Sequence, residues 1–413
     1  MDTGVFSSGV LFHPPSKRYW RIGNGWYDLS PFLKIHPGGA ETLLLARDRF
    51  EDCTYVFEAH HHNFYRARKM LEQYRVGDAT GGCALCSERS FYSILRKRVT
   101  TYLHSKGNPS GKPTAACHAF FWAIFASWAC AISLTLAYGR LSYAVLSGLS
   151  GAILGAFGHN WVHQPEFRHR SRLSLDVIGL NSDAWYREHN LQHHMYTNTP
   201  FDNHFRGTDP FLITDPTVPR TWIQRNVTPF IAPAVLAFGL VTNYIYHTSE
   251  LVQGHEKWHI SKLFFPLHAC LLFGCWGHVG LMLFFTNTAV TSVWYFTLAL
   301  MNHNSSEAHN LSLRRNVAGW AEMQILSCTD WCTNWSFVPS ALFLWLNLHT
   351  VHHLFPRIDI SHHSDIQVLL QKTCVEFNIN YHKKTIGQVY AEMVNSFRYP
   401  MSPDSDARSL FFE

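Results

Sequence analysis

Charge is what this chain has least of. Asp, Glu, Lys and Arg make up 15% of the 413 residues, against roughly 25% in ordinary soluble domains. A purely soluble enzyme is therefore a poor fit. Cysteine framework spacing is missing too: the 10 Cys are scattered, and only Cys83 and Cys86 form a CxxC, within a Gly-rich stretch. A disulfide scaffold is excluded, and the thiols are expected to be reduced and cytosolic. The first thirty residues hold Pro14, Pro15, Lys17, Arg18 and Arg21 but no apolar signal-peptide core. The formal net charge of +5 is spread over short clusters, so no basic tract of the kind that binds nucleic acid is present.

Apolar side chains and histidine are abundant instead. Hydrophobic residues reach 47% and aromatic residues 15%, and the 27 His nearly match the 34 Lys plus Arg. Such composition excludes disorder and points to lipid or a large buried core. Residues 1–78 contain nothing able to span a bilayer and read as a small soluble domain. Residues 79–115 read as a linker followed by a surface helix, whose Arg96, Lys97 and Arg98 would meet anionic headgroups.

Membrane segments follow. Residues 119–138 lack charge and are long enough to cross about 30 Å of hydrocarbon. Residues 141–158 come after only Gly139 and Arg140, which predicts a hairpin. Of the later apolar stretches, 263–285 and 287–301 are paired as a second hairpin around a turn at Thr286–Thr288. The stretch 229–246, broken by Pro229 and Pro233, is placed in the interface. An even number of crossings is expected because His- and Arg-rich segments flank the block on both sides.

The histidines fall into patterns. His36-Pro37-Gly38-Gly39 stands in a loop, where two glycines let the backbone approach a flat cofactor. His60-His61-His62 lies about two dozen residues on. Downstream come His159 and His163 (HxxxH), His189, His193 and His194 (HxxxHH), and His349, His352 and His353 (HxxHH). On an α-helix with about 100° per residue, His159 and His163 share a face, as do His349, His352 and His353 within a narrow arc; His189 and His193 share a face too, while His194 diverges. Adjacent histidines can thus reach two different metal ions. A single such pair is also what a wet, His-rich interfacial helix shows. Three boxes separated by membrane hairpins are not.

The region from Arg18 to Gly77, with Trp26, Asp28-Leu29, Phe57 and Tyr74, resembles the cytochrome b5 haem-binding domain. That resemblance implies haem b held axially by His36 and His60, with His61 as the alternative; counting back from Gly77 instead favours His62. The region from about 115 to 395, with Thr197-Asn198 and His352-His353-Leu354-Phe355-Pro356, resembles the membrane fatty acid desaturase and hydroxylase superfamily. It implies two non-haem iron ions on the eight box histidines plus a ninth, His303 of Met301-Asn302-His303, with His309 as its competitor. Asp183, Glu188, Asp202 and Asp209 are candidates to orient ligand rings or simply to cap helices.

Together these readings predict an α+β haem domain over 1–78, a linker and interfacial segment over 79–115, an all-α membrane domain over 116–395 with four transmembrane helices in two hairpins, and a tail over 396–413. The fusion resembles front-end desaturases and the cytochrome b5-related proteins. It implies O2-dependent desaturation of a fatty acyl-CoA or acyl-lipid, with electrons from NADH-cytochrome b5 reductase. The expected location is the endoplasmic reticulum membrane, with haem and histidine boxes facing the cytosol. Two rivals are a hydroxylase on the same centre and a non-catalytic membrane haem protein. Front-end enzymes usually carry Gln where this chain has His349, and Asp where it has Asn160.

Overall fold

The computed structural model describes residues 18–49, 52–61, 64–79, 90–198, 202, 204, 207–215, 218–254, 258–305, 308 and 320–399. His62, His309, Cys83, Cys86 and the end of the expected tail lie outside the described residues.

Strands β1 (Trp20–Ile22) and β2 (Gly25–Tyr27) pair antiparallel, with Trp20 opposite Tyr27. The connection needs a left-handed residue, and Gly23 supplies it at φ 58°. After the helices α1 (Ala40–Arg49), α2 (Thr54–His60) and α3 (Phe64–Leu71), strand β3 (Arg75–Asp78) returns to pair with β2. Trp20, Tyr27, Leu29, Val56, Phe57 and Leu71 fill the centre of this unit. Helix α4 (Phe91–Ser105) follows, capped by the Ser90 side chain.

The sequence reading turned α4 toward lipid headgroups, and the side chains do otherwise. Arg96 is buried and ion-paired with the buried Glu58 of α2, and Arg98 reaches Thr373 at 2.7 Å and Glu376 at 2.6 Å. Of the basic run only Lys97 is exposed. Apolar positions of α4 join a core running from Trp20 through Leu95 and Leu103 to Val351, Ile366 and Leu370. The N-terminal unit therefore docks on the rest of the chain. Removing one partner of a buried ion pair costs about 3–5 kcal/mol, whereas replacing both by apolar groups can be neutral. Glu58→Leu is accordingly expected to lower the denaturation midpoint of the docked unit sharply, and the Glu58→Leu/Arg96→Met double variant to regain most of it in a denaturant titration.

Among the described residues, three helical segments are long and apolar enough to cross a membrane: α5 (Ala115–Tyr138), α6 (Leu141–Trp161) and Ile260–His303. The third has 44 residues, or about 66 Å if straight, twice the hydrocarbon thickness. It is not straight. Gly277 adopts φ 56°, ψ −133°, and a Cβ on Gly280 would fall 1.9 Å from the Leu272 carbonyl oxygen. Residues eight apart can meet only if the chain folds back there. The expected turn at Thr286–Thr288 is thus displaced to Gly277, because those threonines sit inside a helix and bond to Met282 O at 2.8 Å and Phe284 O at 3.1 Å. Trp276 Nε1 donates to Leu136 O at 2.8 Å, so this break lies beside the one at Gly139.

The stretch expected at the interface is two short helices, Ala232–Ala237 and Gly239–Val252. Ser292 holds their junction by accepting from Leu240 N and donating to Leu236 O. Phe230, Ile231, Phe238, Ile245 and Tyr246 of this region are exposed. Helix α7 (Arg168–Asp176) packs under α6.

Candidate metal centre

In the N-terminal unit the His36 Nδ1–H donates to Gly39 O at 3.1 Å. Its ring lies back over Gly38, where a Cβ would stand 2.7 Å from His36 Cε1; this is why the loop needs glycine there. His61, just beyond α2, donates from Nδ1 to Phe57 O at 2.8 Å and faces His36 with ring centroids 6.2 Å apart. His60 donates to Val56 O at 3.0 Å but turns the other way, its ring 6.4 Å from that of His163. Of the favoured candidate His60 and its alternative His61, it is the His61 ring that faces His36. Burial pushes His60 down to about 4 and His61 to about 3, so both are neutral with Nε2 free to ligate. Two axial metal–nitrogen bonds of ~2 Å plus half a ring at either end come to about 6 Å, so the His36–His61 pair fits an iron between its rings.

All nine histidines expected at the metal centre come together, in two groups. His159, His163, His189, His194 and His352 form one; His193, His303, His349 and His353 form the other. Within the first, Nε2 atoms approach at 2.9 Å (His159–His352), 3.0 Å (His194–His189) and 3.4 Å (His189–His352). Within the second the separations are 3.0 Å (His349–His303), 3.1 Å (His353–His349) and 3.2 Å (His193–His303). Nitrogens ~2.1 Å from a shared ion and between a right angle and a tetrahedral angle apart are separated by roughly 3.0–3.4 Å. The donor spacing matches.

The hydrogen bonds make the same point chemically. His193 Nδ1–H donates to the Asp202 carboxylate at 2.9 Å and His303 Nδ1–H to Ser327 O at 2.9 Å. With both Nδ1 atoms turned to oxygen acceptors, the two Nε2 atoms face each other at 3.2 Å, the separation of two nitrogens that share one cation. Both nitrogens of His163, and Nδ1 of His189, His194 and His349, are buried without a hydrogen-bond partner. Desolvation holds His163, His189, His194, His349, His352 and His353 well below the usual histidine range, keeping them in the form that ligates.

Local helix geometry decides which ring goes where. His349 and His353 are four apart on the short helix His349–Leu354 and share a group, while His352 points into the other. The second box departs from the α-helical reading. Tyr186–His193 is a π-helical segment, in which the His194 N–H reaches back five residues to His189 O. This wider turn brings His189 and His194 to one face and sends His193 to the other, whereas 100° per residue had joined His189 to His193. Adjacent histidines do reach different groups, as the sequence predicts.

Among the carboxylate candidates Asp202 alone touches a cluster ring in a described contact. Burial works to raise it, but the facing His193 and its hydrogen bonds outweigh that and hold it at about 2. Asp183 instead pairs with Arg172 at 3.2 Å and Lys262 at 3.0 Å, and no described contact joins Glu188 or Asp209 to a ring of the cluster. Gln324 Oε1 accepts from His353 Nδ1 at 2.7 Å, a role no motif announced. His204 was also missed: it stacks near His189 and His193 and forms a third potential donor group with them. Partners that orient a ligating histidine are worth 10–100-fold in metal affinity. Asp202→Ala is expected to weaken iron retention by about that factor, read by metal analysis after graded chelator treatment.

The family profile described as Fatty acid desaturase matches residues 128–385, more than half of the chain. The chain belongs to the fatty acid desaturase family. A second profile, Cytochrome b5-like Heme/Steroid binding domain, matches residues 8–80 of this desaturase. It is 26% identical to an acyl-lipid (8-3)-desaturase of Mortierella alpina over 90% of this chain and 91% of the relative. Identity to an acyl-lipid (8-3)-desaturase of Physcomitrium patens is 26%, covering 86% of this chain and 82% of that one. A cytochrome b5-related protein of Drosophila melanogaster is 25% identical, over 89% and 86% of the two chains. The desaturase thus has a cytochrome b5 domain followed by a mostly helical desaturase domain, and its two families imply haem and iron.

Proposed function

We propose that this protein is a membrane-bound, O2-dependent desaturase that introduces a double bond into a fatty acyl chain carried on a lipid, supplied with electrons through its own haem domain. The observation that carries the reading is the convergence of nine histidines in two groups, with the Nε2 atoms of His193 and His303 facing each other 3.2 Å apart. The names of the relatives support an acyl-lipid substrate.

Two iron ions would be held, one by His159, His163, His189, His194 and His352, the other by His193, His303, His349 and His353. Haem b would be held by His36 and His61. A bound iron pair supplies the oxygen activation and hydrogen removal that no side chain performs on an unactivated methylene. The protein contributes position and dryness. Asp202, the Ser327 carbonyl and Gln324 fix three ring orientations, and His194 and His353 are fully buried, which keeps water from the reacting chain. In this reading α5 with α6, and the two arms around Gly277, make four crossings in two hairpins. Both breaks then face away from the cytosol, and the endoplasmic reticulum is the membrane. NADH-cytochrome b5 reductase is the proposed electron source. The haem unit is taken as 1–78, the connecting segment as 79–115, the membrane domain as 116–395 and the tail as 396–413.

Expression in yeast with a reductase, followed by lipid mass spectrometry, tests the activity. A new unsaturated acyl species is expected, and it should be absent from the His193→Ala strain. His349 stands where front-end enzymes usually carry Gln, so the position of the new double bond is read as well as its presence. Hydroxylated product in its place, or an unchanged lipid profile with no non-haem iron in the purified protein, would overturn the reading.

A further inference from the structure

His60 belongs to neither histidine group and does not face His36, yet it lies between the two sites. It is joined by one peptide bond to His61, whose ring faces His36 at 6.2 Å. On its other side the His60 ring is 6.4 Å from His163, which in turn stands 4.5 Å from His194 and 5.0 Å from His352. His60 Nε2 is buried without a hydrogen-bond partner. Its Nδ1–H is used only to close a local bond to Val56 O, so a packing role alone would be as well served by Leu.

The surroundings fix this placement. Arg357, four residues beyond His353, donates to the His60 carbonyl at 3.4 Å and meets Glu166 at 3.6 Å. The buried Glu58–Arg96 pair and the Tyr92 hydroxyl, which donates to Leu354 O at 2.9 Å, hold α2 against the segment carrying the third box. A tethered domain that sampled many orientations would need none of these contacts.

We propose that His60 is the bridge by which electrons pass from the haem domain to the histidine cluster, through its bonds to His61 and across one ring-to-ring gap to His163. The proposal rests on the desaturase reading above. Electron transfer weakens steeply with distance through saturated or empty space, and an aromatic ring placed in the gap shortens that distance. Each passage oxidises the haem iron from ferrous to ferric and reduces one iron of the pair from ferric to ferrous. Two passages reduce the pair. No bond is made or broken at His60 and no proton moves. The haem is then re-reduced by an external flavin-type donor.

The test uses the full-length protein in detergent or nanodiscs, without oxygen, with the haem photoreduced by a deazaflavin and its reoxidation followed in the Soret band. His60→Leu is expected to slow reoxidation by at least an order of magnitude and His60→Phe to restore most of the rate. Haem spectrum and non-haem iron content should be unchanged in both. An unaltered rate in His60→Leu overturns the bridge, as does loss of the low-spin haem spectrum, which would make His60 an axial ligand, or loss of non-haem iron, which would place it in the metal site. A wild-type protein that holds no non-haem iron overturns the desaturase reading and the bridge with it, and is told apart from failure of the bridge alone by that metal analysis.

Discussion

Replacing His353 by Ala is expected to remove one of two non-haem irons per haem and to abolish lipid desaturation, while the haem spectrum stays as it was. His353 belongs to the four-histidine group, whose remaining donors would be His193, His303 and His349. Its loss also leaves Gln324 Oε1, which accepts from its Nδ1, with the Thr197 hydroxyl as its remaining described donor. His352→Ala acts on the five-histidine group and leaves four donors. More iron should therefore survive in that variant, although activity should still fall at least ~100-fold, since even partners of ligands are worth 10–100-fold. His349→Gln keeps an amide oxygen as donor and is expected to retain iron with reduced activity. His204→Ala removes a ring that lies outside both groups and should leave the metal count intact. Metal analysis per haem on the purified variants checks all four. Two irons retained in His353→Ala would refute the grouping, and loss of haem together with iron would show general unfolding in place of a local defect.

What the sequence could and could not reveal about this centre follows from what sets each feature. The candidate donors are legible as histidine boxes, because a site for a borderline metal needs several neutral imidazoles and those residues must be present however the chain folds. Group membership is carried by helix geometry. The α-helical assumption held for His159 with His163 and for His349 with His353; it failed for His352, which the narrow arc had joined to those two, and for His189, His193 and His194, where a five-residue backbone bond widens the turn. Nothing in Arg187-Glu188-His189-Asn190-Leu191-Gln192-His193-His194 announces that bond. Gln324 and the Ser327 carbonyl were invisible for a different reason: they orient rings from a distant segment and belong to no motif.

The membrane segments show the same division. Length and lack of charge located α5, α6 and the third apolar stretch, since crossing hydrocarbon demands both. The break in the third stretch was placed ten residues late, at polar threonines that a helix accommodates by bonding them to their own carbonyls. Gly274, Gly277 and Gly280 were the usable signal. A left-handed turn and a close backbone approach both require the absence of a Cβ, and here they occur within three residues of each other. The basic run on α4 misled for want of its partner: Glu58 is 38 residues away and pairs with Arg96 only once the domains dock.

His61→Ala is expected to abolish the low-spin bis-imidazole haem spectrum of the full-length protein, as is His36→Ala, whereas His60→Ala should keep it. The two rings that face each other are those of His36 and His61, at 6.2 Å, and each has its Nδ1–H tied to a carbonyl, which leaves Nε2 as the nitrogen available to a metal. His60 directs its ring toward His163 instead. Counting residues could not separate these neighbours, because at the end of α2 each step turns the side chain by about 100°. Only the direction of the last helical turn decides. With one axial imidazole lost the haem should become high-spin or dissociate, which absorption and electron paramagnetic resonance spectra report directly. Non-haem iron should persist in the His61→Ala protein, since neither His36 nor His61 belongs to the nine-histidine cluster. The opposite outcome, haem lost in His60→Ala and kept in His61→Ala, would make His60 the axial ligand and would remove it from the path between the two sites.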